Sequence, residues 1–252
     1  MSAPRPDRLS ALLRHFQLEA EVADEPLAGD ANLLLLGDAG GHEVQRVAFW
    51  AGGRRADLMS GQVLAAARVD LGAANPITRA LPPVLELDVA QMAGLEPLLR
   101  VLLTEATQPR CGRHGALNRL CEVLVILLLR RAIEVGATGP GLLAGLAHPR
   151  LHRALVAMHD APHREWRSDD LAAEAGMSRS HFMASFRAVC ATTPRAYLTA
   201  WRLTLARQDL AAGARVKSVA TRYGYGSSEA LSRAFTRQFG HPPSAARMPP
   251  PA

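Results

Sequence analysis

The chain has 252 residues, 48% hydrophobic and 21% charged, a balance typical of folded globular domains that excludes a disordered chain or a fibrous repeat. Its longest apolar run, Val123 to Leu129, falls far short of the roughly 20 residues a membrane span needs, and Arg5, Asp7 and Arg8 interrupt any signal-peptide pattern, so a cytoplasmic protein with no membrane partner is expected. The net charge of +6 is uneven: from Arg150 onward 15 Lys+Arg stand against 7 Asp+Glu, or +8, and before it 14 stand against 16, or −2, which points the second part at a polyanion such as nucleic acid.

In chain order, Asn32–Leu36, Val44–Trp50 and Gln62–Val69 are short apolar runs separated by Gly-Asp, Gly-Gly and Gly-Gly-Arg punctuation, and read as strands joined by turns. Pro82-Pro83 leads into two helices, Leu95 to Thr107 and Leu117 to Val135. Leu117, Leu120, Leu124, Leu127 and Leu128 form an apolar stripe on the second, which either packs internally or meets a second chain. Cys111, Cys121 and Cys190 form no CxxC pair and leave one over, so neither a disulfide framework nor a structural zinc site is expected. A redox pair of Cys111 and Cys121 competes with the commoner role of cysteine as a small buried hydrophobe. His148/His152 and His159/His163 stand four residues apart with no third ligand and read as surface or interface residues. No nucleophile, paired-carboxylate or phosphate-loop pattern emerges, so no enzyme, no bound metal and no cofactor are expected.

The basic part contains an internal repeat. Leu171–Pro194 lies over Val219–Pro243 with one residue of slack: Ala172 on Ala220, Gly176 on Gly224, Ser178 on Ser227, Phe182 on Leu231, Phe186 on Phe235 and Pro194 on Pro243. Each copy reads as a short helix, a glycine turn and a longer helix that a serine can cap. Leu171, Ala172, Ala175, Phe182, Phe186 and Val189 make the inward face of one copy; Val219, Ala220, Tyr223, Leu231, Phe235 and Phe239 make that of the other. The intervening positions form an exposed, basic face. Between the copies, the segment from Pro194 to Gly213 reads as a helical spacer of some 19 residues, about 28 Å long. That is somewhat less than the roughly 34 Å between successive major-groove segments on one face of DNA.

These residues resemble the AraC/XylS family of transcription regulators. The likeness runs from about Leu151 to Arg247 and is carried by LAAEAGMSRSHFMASFRAVCA from Leu171, WRLTLARQDL from Trp201, and VATRYGYGSSEALSRAFTRQFGHPP from Val219. The resemblance implies double-stranded DNA and RNA polymerase as partners and base contacts at Ser180, Met183 and Ala184 in the first unit and Ser228, Glu229, Ser232 and Arg233 in the second. Arg233 suits a guanine and Glu229 a cytosine, whereas Met183 and Ala184 suit only a thymine methyl. Arg179, Arg187, Arg222 and Arg237 are placed for phosphates.

The first part is similar to the cupin-type sensor domain of some such regulators, through LSALLRHFQL at Leu9–Leu18, AGDANLLLLGDAGGHEV at Ala28–Val44, LPPVLEL at Leu81–Leu87 and CGRHGALNRLCEVLVILLLR at Cys111–Arg130. Only about ten residues separate Leu18 from Gly29-Asp30, so the barrel is expected to be shortened. His42 stands where cupins place a metal ligand but has no HxH partner. The expected chain is α+β: a partial cupin-like β-barrel in residues 1–94, a helical dimerisation or linker region in 95–149, and an all-α DNA-binding domain in 150–252 with two helix-turn-helix units joined by a long helix. The expectation is a sequence-specific DNA-binding transcription factor, a homodimer, sensing an unidentified small-molecule effector. A cupin-like metal-binding enzyme and a protein-docking adaptor stay open as alternatives.

Overall fold

The structure, a computed structural model, describes residues 8–9, 19–22, 30–37, 40, 43–51, 61–70, 81–108, 110–136 and 139–247. These residues fall into two compact units, one within Phe16–Gly139 and one from Pro140 onward together with Arg8 and Leu9.

The first unit is built on a five-stranded antiparallel sheet of β1 (Glu19–Val22), β2 (Leu33–Gly37), β3 (Val44–Phe49), β4 (Gln62–Asp70) and β5 (Leu85–Asp88), in the order β1-β4-β2-β3-β5. The leucine run of β2 is buried along its whole length because both faces of the central strand are covered. Leu33 and Leu35 line the same small gap as Leu102 and Cys121, while Leu34 and Leu36 pack with Ala48, Trp50 and Ala66 on the opposite face. One polar residue is sealed in with them. The Asn32 amide donates to the carbonyls of Trp50 (3.2 Å) and Val69 (2.9 Å), and its oxygen accepts from the Val69 N–H (2.7 Å), joining the ends of three strands.

Helices α1 (Leu95–Thr107) and α2 (Arg113–Glu134) follow, and α2 packs on β1 and α1. The second helix begins four residues before the expected Leu117. Gly112, in the left-handed region at φ 78°, turns the chain, and Arg113 donates to the Glu105 (2.8 Å) and Ala106 (2.7 Å) carbonyls that end α1. Leu117, Leu124 and Leu128 are buried, Leu120 and Leu127 are half-buried, and Val123 is 45% exposed, so the leucine stripe serves mainly internal packing.

The second unit holds α3 (Leu142–Ala147), α4 (Leu151–Asp160), α5 (Ser168–Ala175), α6 (Arg179–Cys190), α7 (Pro194–Ala211), α8 (Val216–Arg222), α9 (Ser228–Phe239) and a short 3₁₀ turn, Pro243–Arg247. Helix α3 presses against α4 and α6 at Gly145, where an added Cβ would stand 2.5 Å from Leu155 Cδ1 and 2.8 Å from Cys190 Sγ. Of the four histidines expected at a surface or interface, His163 is exposed, His148 and His152 are half-buried, and His159 departs from the expectation. His148 Nδ1 accepts from the N–H groups of Arg150 (3.2 Å) and Leu151 (3.1 Å) and so caps α4, and His159 is fully buried. Helix α7 starts where expected: the Thr193 hydroxyl accepts from the Ala196 N–H (3.2 Å) and Pro194 occupies the first turn. No helix among the described residues is long and apolar enough to cross a membrane.

Candidate nucleic-acid interface

The repeat is a repeat in three dimensions. Helices α6 and α9 are each 12 residues long. The Ser178 hydroxyl accepts from the His181 N–H (3.4 Å) and the Ser227 hydroxyl from the Ala230 N–H (3.1 Å), so both helices are capped at the same step. Gly176 and Gly224 make the two turns at φ 64° and 73°. Phe182 and Phe186 in one unit, Leu231 and Phe235 in the other, are fully buried, whereas Val189 and Phe239 near the helix ends are only half-covered.

Away from that core, the base-facing candidates share a surface on each helix. Ser180 and Ala184 are exposed with Met183 half-buried between them; Glu229 and Arg233 are exposed beside half-buried Ser228 and Ser232. Arg179, Arg187, Arg222 and Arg237 are all exposed. Two of these cations already have partners: Arg179 lies 3.5 Å from Asp169, and Arg222 lies 2.6 Å from Asp209, which also accepts from the Tyr223 hydroxyl (2.8 Å). The hydrogen bond to Asp209, reinforced by its charge, pushes the Arg222 guanidinium above its usual range. Glu229 is held below the ordinary carboxylate range, first by the Ser227 hydroxyl and the N–H of its own residue, and to a smaller extent by the Arg233 charge one turn on. It is therefore an ionised acceptor at the positive end of α9.

Residues 171–248 match a helix-turn-helix domain family, and residues 23–134 match the cupin family. Over 182 residues the chain is 34% identical to the HTH-type transcriptional regulator AlkR of Acinetobacter baylyi, covering 69% of this chain and 59% of that one. Over 174 residues it is 36% identical to an AraC-like transcription regulator of Streptomyces lividans, covering 68% of this chain and 57% of that one. The chain belongs to the AraC/XylS family. It spans under three-fifths of the length of these curated relatives, at 59% and 57%. Among solved structures, the DNA-binding domain of AdpA in complex with a target DNA is similar over 40% of this chain and 91% of that one, at 32% identity and a TM-score of 0.38.

Within this AraC/XylS chain, two contributors escape a reading of the exposed faces alone. Asp209 enters as the partner of Arg222, and Arg202 of α7 reaches the loop ahead of α5 with two hydrogen bonds. Both lie in the WRLTLARQDL stretch, whose apolar positions mark a helix but whose charges give no sign of what they face. Among the described residues no group of three or more His, Cys, Asp or Glu could hold a metal ion. His42 lies outside the described residues.

Proposed function

We propose that this protein is a sequence-specific DNA-binding transcription factor that lays α6 and α9 in successive major-groove segments of one duplex. The carrying observation is that two helix-turn-helix units, whose second helices share a serine cap at the same step and a length of 12 residues, sit in one compact unit, each leaving a polar face outside its core. On this reading Ser180, Met183, Ala184, Ser228, Glu229, Ser232 and Arg233 meet base edges, and Arg233 carries the clearest discrimination through a guanine. Arg179, Arg187, Arg222 and Arg237 meet phosphates and set register and salt dependence. Helix α7, with 18 residues, is about 27 Å long, so a duplex contacted by both helices bends toward the protein or seats one helix less deeply.

The first unit supplies regulation rather than catalysis. A cleft of about 460 Å³ beside β3, β4 and α1, lined by Val44, Leu64, Leu99 and Leu103 with Glu43 and Thr104 at its polar side, is large enough for a small-molecule effector. Val101 (51% exposed) and Val123 (45%) give α1 and α2 apolar surface for a second copy of the chain. RNA polymerase is the further partner such a regulator acts upon, and the cytoplasm is where its DNA lies.

The test is binding of the full chain to a duplex recovered from a randomised pool, over salt from about 50 to about 200 mM. Affinity falls steeply with salt, and Arg233→Ala loses about 1 to 3 kcal/mol and relaxes the sequence preference at one position. Affinity indifferent to both salt and the substitution would overturn the reading.

A further inference from the structure

The loop between α4 and α5 leads into the first helix-turn-helix, yet it also touches the second. Arg202 of α7 donates through Nε to the Pro162 carbonyl (2.5 Å) and through Nη2 to the Arg164 carbonyl (2.9 Å). Between those two carbonyls stands His163, and its own carbonyl faces Gly224 so closely that a Cβ at Gly224 would lie 2.5 Å from the oxygen and 3.4 Å from Arg202 Nη2. The φ of 73° at Gly224 and this approach both demand glycine there. Tyr225, the next residue, is half-buried, and the Arg202 charge acts on its phenol. A planar fork with donors in fixed directions holds two carbonyls two residues apart in a way a flexible ammonium does not. Three pieces therefore meet at one guanidinium: the entry to the first helix-turn-helix, the spacer helix that carries it and the turn of the second.

We propose that Arg202 is a positioning residue for two-site DNA reading: by clamping the Pro162–Arg164 loop against the Gly224 turn, it fixes where α6 stands relative to α9. The inference rests on the DNA-binding reading above. Two rigidly linked modules gain affinity from each other only while their geometry matches both sites, an advantage on the order of 100-fold or more. Loosening the clamp costs that advantage without touching any base-facing side chain.

The experiment places nitroxide labels on α6 and α9 through Ala188→Cys and Gln238→Cys, both at exposed positions. Cys111, the exposed native thiol, is replaced by serine, and the other two cysteines are buried. With Arg202 intact, the label-to-label distance is a single narrow distribution; with Arg202→Lys, which keeps charge and stem but not the fork, it broadens or splits while the melting transition survives. Arg202→Ala does the same more strongly where it folds. In parallel, unlabelled protein is bound to the duplex recovered from a randomised pool and to that duplex with one base pair inserted between the two halves, which turns one half by about 34° relative to the other. The parent prefers the uninserted duplex by about 10-fold or more, and Arg202→Lys loses most of that preference. Unchanged distances together with an unchanged preference would overturn the proposal. A parent that binds no duplex in a salt-dependent way would overturn the DNA-binding reading instead, and the label distances alone would then decide whether Arg202 is the clamp.

Discussion

His159 Nε2 lies 2.6 Å from the Tyr197 hydroxyl, and the imidazole stacks on Trp201 with ring centroids 4.1 Å apart. The pair joins α4 to α7 in the core of the DNA-binding unit, and Phe186 of α6 meets Tyr197 edge-on at 5.8 Å. Burial pushes the Tyr197 phenol well above its usual range, so it keeps its proton. Tyr197→Phe preserves the packing and removes only the hydroxyl. It is expected to cost about 1 to 3 kcal/mol, seen as a lower melting temperature of the C-terminal unit; an unchanged melting temperature would mean that the hydrogen bond contributes no net stability.

Asn32 plays a comparable part in the first unit. Asn32→Leu leaves the Val69 N–H and the carbonyls of Trp50 and Val69 without their side-chain partner, in a place water does not reach. The expected loss is about 3 kcal/mol. It is read as faster hydrogen exchange of the β4 amides, Val69 first, with the amides of α6 and α9 unaffected.

On the DNA-binding reading, Asp209 and a phosphate would compete for Arg222. Asp209→Asn weakens the ion pair, whose guanidinium is exposed while its carboxylate is half-buried, at a cost of about 1 kcal/mol, and leaves the guanidinium available to a phosphate. Affinity for duplex should rise, and the slope of log affinity against log salt should steepen by up to about 1. A slope identical to the parent's would remove Arg222 from the set of phosphate contacts.

The three thiols should divide by burial. Burial first, with the neighbouring Glu122 charge second, pushes the Cys121 thiol up to about 12, and burial alone raises that of Cys190 to about 12, whereas Cys111 is exposed. A raised value keeps the thiol neutral and unreactive until the pH approaches it. At pH 8 an alkylating reagent is therefore expected to modify Cys111 alone, with Cys121 and Cys190 reacting only after unfolding. Reaction of Cys121 in the folded protein would reopen its pairing with Cys111.

The C-terminal helices are legible in the sequence because each signal is local. Ser178 and Ser227 cap, Gly176 and Gly224 turn, Pro194 starts and the aromatic stripe repeats, so helix boundaries follow within a residue or two. The sheet is less so. β1 and β5 are four residues each, and Glu19–Val22 reads as a strand only once β4 lies beside it. The same limit hides His159, whose i, i+4 spacing to His163 suggests a shared surface until α7 packs over it. Charges are the least readable: exposed Arg222 and half-buried Arg202 look alike in the chain, and only the fold shows that one faces a carboxylate and the other two carbonyls.

The matched caps of α6 and α9 carry a consequence for engineering. Counted from Ser178 and Ser227, Ser180 stands where Glu229 stands, Met183 where Ser232 stands and Ala184 where Arg233 stands. The two sets of positions are thus equivalent along their helices. Arg179 likewise stands where Ser228 stands, so on the DNA-binding reading a chain carrying Arg179→Ser, Ser180→Glu, Met183→Ser and Ala184→Arg is expected to display one reading surface twice and to select a tandem repeat from DNA, with the period set by the length of α7.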